Sequence, residues 1–354
     1  MSQLSRRDFL RMLALGAGSL TLPQFLAGCD SQASHSRLAA TPRPSSTQPR
    51  LETPDPTATL PTTGEAGPAA ASPMTTSQTA TPLPASAPDL VVARGSDPET
   101  IVRRALAAFG GMQNFVPRNA SVIIKPNICV SYHTYEYAAT TNPWVVAALV
   151  KLCLEAGARS VQVMDLPFGG SQQEAYARSG IAEQVDAAGG EMVHMSSLKY
   201  VSADIPQGKD LKKVKIFGDV QKADVLINVP IAKHHGLARL TLGMKNLMGL
   251  IKDRPSMHSN LGQRLADLTS LFQPTLTVVD AVNILMANGP SGGNLNDVKP
   301  MDTVIASPDI VAADSYATSL FGLRPEDIAY IPAAAAMGLG RSDLHNLSIE
   351  EITA

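Results

Sequence analysis

The sequence predicts an α/β domain with a mostly parallel sheet, helices on both faces, and a small antiparallel addition around residues 198–217. Within residues 89–354, short apolar segments rich in β-branched residues alternate with longer segments that have helical spacing. Strands that are apolar along their whole length are typical of parallel strands covered on both faces. In the addition, Lys212, Lys213 and Lys215 are instead interleaved with apolar residues, which indicates a half-exposed antiparallel hairpin.

The individual elements follow from this alternation in chain order. The predicted strands cover residues 90–93, 121–125, 160–165, 225–229, 276–280 and 303–306. The predicted helices cover residues 99–109, 143–156, 172–188, 261–271, 310–321 and 325–337. Because parallel strands run in the same direction, we expect the carboxyl ends of these strands at one edge of the sheet.

The amino-terminal segment, residues 1–28, has the pattern of a twin-arginine export signal. Arg6 and Arg7 are followed by Asp-Phe-Leu and then by an apolar stretch over residues 12–26. Glycines and a proline interrupt that stretch, and it is shorter than the roughly 20 residues of a membrane span. It ends in Leu-Ala-Gly before Cys29, which resembles a lipobox. We therefore predict cleavage before Cys29 and a diacylglycerol on its sulfur.

These signals predict an exported protein that is lipid-anchored to the outer face of the cytoplasmic membrane, in the periplasm or at the cell surface. The expected partners are the twin-arginine translocase and the lipoprotein-processing enzymes, and the lipid is the only expected contact with the membrane. Residues 29–88 are rich in Pro, Thr, Ser and Ala. Such a segment buries too little apolar surface to fold, so it predicts a disordered stalk with a reach of roughly 45 Å.

The charge and the cysteine content of the chain limit which partners and cofactors we expect. The net charge is −2, so no nucleic-acid partner is predicted. Apart from Cys29, the chain has only Cys129 and Cys153, whereas a typical iron–sulfur cluster needs four protein ligands. An iron–sulfur cluster held by this chain alone is therefore not expected. We interpret the two cysteines as buried thiols rather than a disulfide, although the expected compartment would permit a bridge between them.

Polar residues follow four of the predicted strands, where open α/β sheets bind their ligands. Lys125 ends the strand at 121–125 and Asn127 follows it, and Asp165 ends the strand at 160–165. Lys233 and His234 follow the strand at 225–229, and Asp280 ends the strand at 276–280. Gly289, Gly292 and Gly293 form a loop downstream. We expect these residues, together with Lys245 and Asn246 of a second dense stretch, to line one cleft.

The chemistry of this cleft is predicted from its cations. Burying Lys125, Lys233 and Lys245 together is costly unless an anion neutralises them. We therefore predict an anionic small molecule, with the three lysines as clamps and the free N–H groups of the glycine loop on its oxygens. These residues also have purely structural interpretations. Lys125 could be a surface lysine, Lys245 a snorkelling lysine on an amphipathic helix, and the glycine loop a loose turn.

His234, Asp165 and Asp280 are predicted as acid/base groups or as ligands of a divalent metal ion. Asp165 and Asp280 have an alternative interpretation as caps of the next helix or turn. His234 and His235 are adjacent, so their side chains point apart on a regular strand, and at most one is expected at a ligand. The identity of any cofactor is otherwise left open by the sequence.

The order of these motifs resembles the bacterial and archaeal family called domain of unknown function 362. The matching positions, spread over nearly all of residues 89–340, include Lys125-Pro126-Asn127, Asp165, Asn228, Lys233, Lys245-Asn246, Asp280 and Asp314. The resemblance implies an α/β core domain of unstated activity. Many members of the family carry a pair of ferredoxin-like iron–sulfur motifs, and this chain departs from them by lacking those cysteines.

The resulting interpretation is a lipid-anchored extracytoplasmic protein with a strand-end cleft for an anionic small molecule, a metal ion, or both. Two other classes fit the sequence: a solute-binding or scaffold protein without catalysis, and an accessory that docks an iron–sulfur redox partner. Whether the protein is an enzyme is left open by the residues.

Overall fold

The computed structural model describes residues 86–354; the predicted signal peptide and the stalk up to residue 85 lie outside the described residues. The strands are β1 Leu90–Arg94, β2 Ser121–Pro126, β3 Ser160–Val163, β4 Glu191–Met192, β5 Tyr200–Asp204, β6 Lys213–Phe217, β7 Val225–Val229, β8 Ile231–His235, β9 Arg239–Thr241, β10 Leu276–Leu285, β11 Val298–Ser307 and β12 Ile349–Thr353. The α-helices are α1 Pro98–Ala108, α2 Pro143–Glu155, α3 Gln172–Arg178, α4 Ile181–Ala187, α5 Gly243–Asn246, α6 Leu261–Phe272, α7 Ile310–Thr318 and α8 Tyr330–Ala335.

The predicted α/β class with a mostly parallel sheet is confirmed. The main sheet has ten strands in the order β12-β1-β11-β10-β7-β2-β3-β4, with β8 and β9 attached through β10. Strands β10, β7, β2, β3 and β4 pair in parallel, and β11 runs antiparallel to both of its neighbours. The predicted antiparallel addition is also confirmed, because β5 and β6 form a separate two-stranded antiparallel sheet.

Helices cover both faces of the main sheet, as the alternation of its side chains requires. Val91 packs into one core with α1, α2 and α4, whereas Val92, the next residue, packs into the other core with α6, α7 and α8. Both valines are fully buried. Strands buried on both faces explain why the sequence shows continuous apolar segments instead of a polar–apolar alternation.

Local signals set the helix boundaries. Asn142 caps α2 by accepting a hydrogen bond from the N–H of Trp144 at 3.0 Å, and Pro143 occupies the first turn. The single helix predicted over residues 172–188 is wrong: Gly180, with φ of 76°, ends α3 and begins α4. No helix among residues 86–354 is long and apolar enough to cross a membrane.

The two cysteines of the domain confirm the expectation of unpaired thiols. Cys129 and Cys153 are both buried and free. Burial raises the pKa of the Cys153 thiol far above its ordinary value. Cys153 is therefore inert core packing in α2, whereas Cys129 follows β2 and lies beside the cleft described next.

Candidate anion-binding cleft

A cleft of about 460 Å³ lies at the carboxyl ends of β2, β3 and β8, beneath the segment between α5 and α6. Among the described residues that line it, five carry a full positive charge: Lys125, Lys233, Lys245, Lys252 and Arg254. Asp165 is the one carboxylate of that lining, and His235 and His258 are its histidines. The walls also include the apolar side chains of Ile128, Leu166, Phe168 and Met248. The cleft is therefore strongly positive, with apolar surface on its sides.

Lys125 and Asp165 form a buried ion pair at the floor of the cleft. Lys125 Nζ lies 2.9 Å from Asp165 Oδ1, and the two side chains are 0% and 4% exposed. The second carboxylate oxygen accepts the N–H of Ile128 at 2.6 Å. Burial lowers the pKa of Lys125 to about 8, and the neighbouring carboxylate limits this fall. This lysine is therefore neutralised within the protein.

Gly249 covers this ion pair, and its lack of a side chain is required there. A Cβ at this position would lie 2.6 Å from Lys125 Nζ and would overlap with Asp165 Oδ1. The carbonyl of Gly249 also accepts the N–H of Leu166 at 3.3 Å. The close approach of backbone to the ion pair explains the glycine within the Lys-Asn-Leu-Met-Gly motif.

Asn246 joins three segments of the floor and uses all of its amide capacity. Its Oδ1 accepts from Lys125 Nζ at 2.7 Å and from Asn127 Nδ2 at 2.9 Å. Its Nδ2 donates to the carbonyl of Lys125 at 3.1 Å and to Asn228 Oδ1 at 2.9 Å. A buried polar network that is fully satisfied rigidifies its surroundings. Asn246 therefore fixes the position of Lys125, and its amide has no free hydrogen-bonding group for a ligand.

Asp314 holds the short helix α5 that carries Lys245 and Asn246. Its two carboxylate oxygens accept the N–H groups of Gly243 at 2.6 Å and of Met244 at 2.9 Å. Burial raises the pKa of Asp314 to about 7, against these two backbone donors, which lower it. Asp314, one of the positions that match the family, therefore fixes the start of α5 and with it Lys245 and Asn246.

Lys233 and Arg254 are held by neutral oxygens and lack a carboxylate partner among the described residues. Lys233 is 1% exposed, and its Nζ donates to Asn127 Oδ1 at 3.0 Å and to the carbonyl of Ala139. The guanidinium of Arg254 donates to the carbonyls of Leu166 and Pro167 at 2.8 and 3.0 Å. Carbonyl oxygens orient a cation but do not neutralise it, so both charges remain available to an anion.

Lys245 has no oxygen partner among the described residues. The one hydrogen-bond partner of its Nζ within residues 86–354 is Met248 Sδ, at 3.8 Å. Burial lowers the pKa of Lys245 to about 8, and the positive charge of Lys233 lowers it further. An amine without an oxygen partner in a positive, partly apolar cleft lacks the stabilisation that an anionic ligand would supply.

His235, and not the predicted His234, faces the cleft. His235 Nδ1 accepts the N–H groups of Leu237 and Ala238 at 3.1 and 3.2 Å, which leaves Nε2 for the cleft. Burial, followed by the charge of Lys245, lowers the pKa of His235 to about 3, so the ring is neutral and carries its proton on Nε2. His234 instead accepts the N–H of Gly289 at 3.1 Å and lies outside the lining.

Asp280 also lies outside the cleft. It is fully buried, and its two oxygens accept the N–H groups of Asn142 at 2.6 Å and Val282 at 3.0 Å. Burial raises the pKa of Asp280 to about 7. The carboxylate ties β10 to the start of α2, so the capping interpretation describes its geometry.

The structure therefore does not bring His234, Asp165 and Asp280 together at one point, as a shared metal ion would require. Each side chain points to a different partner, and no three His, Cys, Asp or Glu side chains within the described part of the chain come together as a metal site. The glycine loop does not line the cleft either. Gly289 packs so closely on the carbonyl of His234 that a side chain would collide there. From this loop, Pro290 is the residue that reaches the cleft.

Of the predicted ligand-binding residues, Lys125, Asn127, Lys233, Lys245 and Asn246 do line the cleft. Gly292 and Gly293, at positive φ of 64° and 128°, serve the turn of their loop. The sequence reasoning missed His235 and Thr241. The period of two along β8 could have found the first, because Lys233 and His235 share a side of the strand that His234 does not.

The chain is similar to a sequence relative and to two solved structures. It is 28% identical over 247 residues to a thylakoid-associated protein of Synechocystis sp., which covers 67% of this chain and 74% of that protein. Among solved structures, it resembles the lactate racemase apoprotein from Thermoanaerobacterium thermosaccharolyticum, with a TM-score of 0.41 and 13% identity over 68% of this chain and 58% of that chain. A second solved structure, a protein from Thermotoga maritima, matches with a TM-score of 0.35 and 12% identity over 65% of this chain and 60% of that chain.

The chain thus spans about three fifths of the length of each solved structure. One family model matches residues 122–319, which include every residue that lines the cleft. The chain belongs to the family described as domain of unknown function DUF362.

Proposed function

We propose that this protein binds a small organic anion in its strand-end cleft. The observation that carries the proposal is the pair of cations Lys233 and Lys245, which lack a carboxylate partner among the described residues although both lie in a partly closed cleft. Retaining such charges is costly unless a ligand neutralises them. A carboxylate or phosphate group supplies that neutralisation together with charge-assisted hydrogen bonds.

The dimensions and walls of the cleft support an organic ligand. Its volume of about 460 Å³ lies in the range of small-molecule pockets, about 300–1,000 Å³. Apolar side chains of Ile128, Leu166, Phe168 and Met248 stand beside the cations. The ligand therefore combines at least one anionic group with a carbon skeleton. A divalent metal ion would enter as a complex with this anion, since Asp165 is already paired with Lys125.

We further propose that the chain is exported and lipid-anchored outside the cytoplasm. The twin-arginine pattern at Arg6 and Arg7, followed by the lipobox-like sequence before Cys29, supports this location. The relative from Synechocystis is described as thylakoid-associated, which agrees with attachment to a membrane. The cleft would then meet small anions of the extracytoplasmic space.

Isothermal titration calorimetry on the purified full-length protein tests the binding function. Glutarate, pyruvate and inorganic phosphate are the probes. We expect at least one of them to bind with one site per chain. Loss of a charge-assisted hydrogen bond costs about 1.5–3 kcal/mol, so Lys233→Met and Lys245→Met should each weaken binding by about 10- to 150-fold.

Lys213→Met is the matched control for a lost positive charge. Lys213 lies on β6 with a side chain 63% exposed, and it is absent from the cleft lining. Its substitution should leave the dissociation constant within about twofold. Failure of all three probes to bind at millimolar concentration, or equal effects of the cleft and control variants, would overturn the proposal.

A further inference from the structure

Four lysines among residues 86–354 line the cleft; Lys252 is exposed, and the amines of the other three, Lys125, Lys233 and Lys245, are held differently. Lys125 Nζ is engaged by Asp165, Asn246 and a carbonyl, and Lys233 Nζ is engaged by Asn127 and a carbonyl. Lys245 Nζ contacts a thioether alone within the described part of the chain. A lysine amine can act as a nucleophile only when it is not tied up by acceptors and when part of it is deprotonated. Among the three lysines that are not exposed, Lys245 meets the first condition, and Lys125 and Lys233 do not.

Two uncharged donors at the same cleft, the Thr241 hydroxyl and the His235 Nε2–H, also lack a hydrogen-bond partner among the described residues. Thr241 is 3% exposed, and its hydroxyl is buried with no hydrogen-bond partner among residues 86–354. His235 is neutral with its proton on Nε2, as its Nδ1 contacts require. Both residues line the cleft with Lys245. An unsatisfied buried hydroxyl indicates a missing polar partner, and a carbonyl oxygen of a ligand would accept from both groups.

We propose that Lys245 captures a 2-oxo acid as an imine, with the neighbouring cations holding the acid's carboxylate. This inference rests on the proposed anion-binding function and names the class of anion. A carboxylate adjacent to a ketone matches the arrangement of the cleft, in which Lys233 and Arg254 stand beside the free amine. A ligand without the carboxylate would leave those two cations unneutralised.

The reaction balances without a further reagent. The nitrogen lone pair of Lys245 forms a bond to the carbonyl carbon, and the C=O π electrons move to oxygen, which gains a proton that the nitrogen gives up. The C–O bond of this carbinolamine then breaks. Its hydroxyl leaves as water after taking a second proton, and the nitrogen loses its remaining N–H as the C=N bond forms. The sum is amine plus ketone giving imine plus water, with no oxidation or reduction.

The electrostatics of the cleft provide the neutral amine that this step needs. With its pKa lowered to about 8, Lys245 is about 10% neutral at pH 7, against well under 0.1% for an ordinary lysine. The charged groups that act on it come from several elements: Lys233, Arg254 and Lys125 lower its pKa, and Cys129 raises it. Lys245 and Lys233 in turn lower the pKa of His235. The positive neighbours keep the amine partly deprotonated and simultaneously attract the acid.

Reductive trapping tests the proposal on the full-length protein. The protein is incubated with pyruvate or 2-oxoglutarate and sodium cyanoborohydride, and the intact mass and peptide map are measured. We expect one adduct per chain, located on Lys245. Its rate should rise about 15-fold between pH 6.5 and pH 8 as the amine loses its proton. Glutarate, which lacks the ketone, should give no adduct.

Lys245→Arg removes the nucleophilic amine, because arginine keeps the charge but does not form the imine. This variant should lose the adduct, whereas Lys213→Arg, at an exposed position outside the cleft lining, should keep it. An adduct spread over several lysines, an adduct retained in Lys245→Arg, or no adduct in a wild-type protein that binds any of the three calorimetric probes would each overturn the inference alone. Absence of the adduct together with failure of glutarate, pyruvate and phosphate to bind would overturn the proposed function with it.

Discussion

Substituting Lys245 by methionine should stabilise the unliganded protein while it weakens anion binding. Methionine is close in length to the lysine stem and fits beside the thioether of Met248, which the Nζ already contacts. The substitution removes a positive charge from a cleft that Lys233, Arg254 and Lys125 make repulsive. A charge kept for a ligand is unfavourable in the ligand's absence, so stability and binding should change in opposite directions.

The pKa of Lys245 sets the magnitude. A fall from the ordinary 10.5 to about 8 corresponds to about 3 kcal/mol for keeping the charged form in the folded protein. Lys245 is half-buried, and solvent screening reduces this penalty, so we expect a gain of about 1–3 kcal/mol at pH 7. Because the folded pKa lies below the unfolded pKa, the unfolded chain binds more protons between pH 8 and 10.5, and wild-type stability rises through that window. The gain in Lys245→Met should be complete below pH 8 and lost near pH 10.5.

Urea unfolding of the full-length variant and wild-type protein at pH 7 and pH 10 measures this difference. Lys213→Met is the control, since Lys213 is exposed and pairs with Asp204 at 3.2 Å; its effect should stay within about 0.5 kcal/mol at both pH values. A Lys245→Met protein that is less stable than wild type at pH 7 would show that the charge of Lys245 does not destabilise the unliganded protein. An equal gain at both pH values would show that apolar packing, and not the removed charge, is responsible.

Three further predictions concern the parts that hold the cleft and the anchor. Gly249→Ala should lower the free energy of unfolding by about 3–5 kcal/mol because its Cβ would separate the buried ion pair below it. Gly236→Ala should change this free energy by less than about 1 kcal/mol, because its Cβ would meet nothing within 4 Å. Urea midpoints compare the two variants. Asp314→Ala should cost about 2–4 kcal/mol by leaving the two N–H groups at the start of α5 without an acceptor, and it should also weaken glutarate binding in calorimetry. Cys29→Ala should abolish palmitate labelling and release the protein from the membrane fraction; unchanged labelling would contradict the lipobox assignment.

The central strands could be predicted because burial on both faces leaves a strong signal. The segment at 225–229 coincides with β7, whose five residues are all buried. Strand β4 has only two residues and gives no such signal. Strands β10 and β11 continue past their predicted segments to residues 285 and 298, because their pairing extends beyond the apolar part. Pairing between distant segments is not encoded in local apolar pattern.

The cations of the site could be predicted for the same topological reason. Lys125 and Lys233 follow parallel strands, so the fold class alone brings them to one edge. Asp280 also follows a strand, yet its side chain points into the start of α2 and not into the cleft. Which side of a strand end a residue faces depends on local register. For His234, the period of two was available in the sequence, and applying it together with Lys233 would have selected His235.

Anomalous diffraction from crystals soaked in sodium bromide tests whether the cleft accepts an anion, because the anomalous signal locates bound bromide. We expect the strongest anomalous peak in the cleft, within ionic contact of Lys245 Nζ and close to Lys233 and Arg254. The peak should be lost in Lys245→Met crystals. Bromide peaks confined to the outer surface of the molecule, with no anion in the cleft at molar bromide, would show that the cleft is not an anion site.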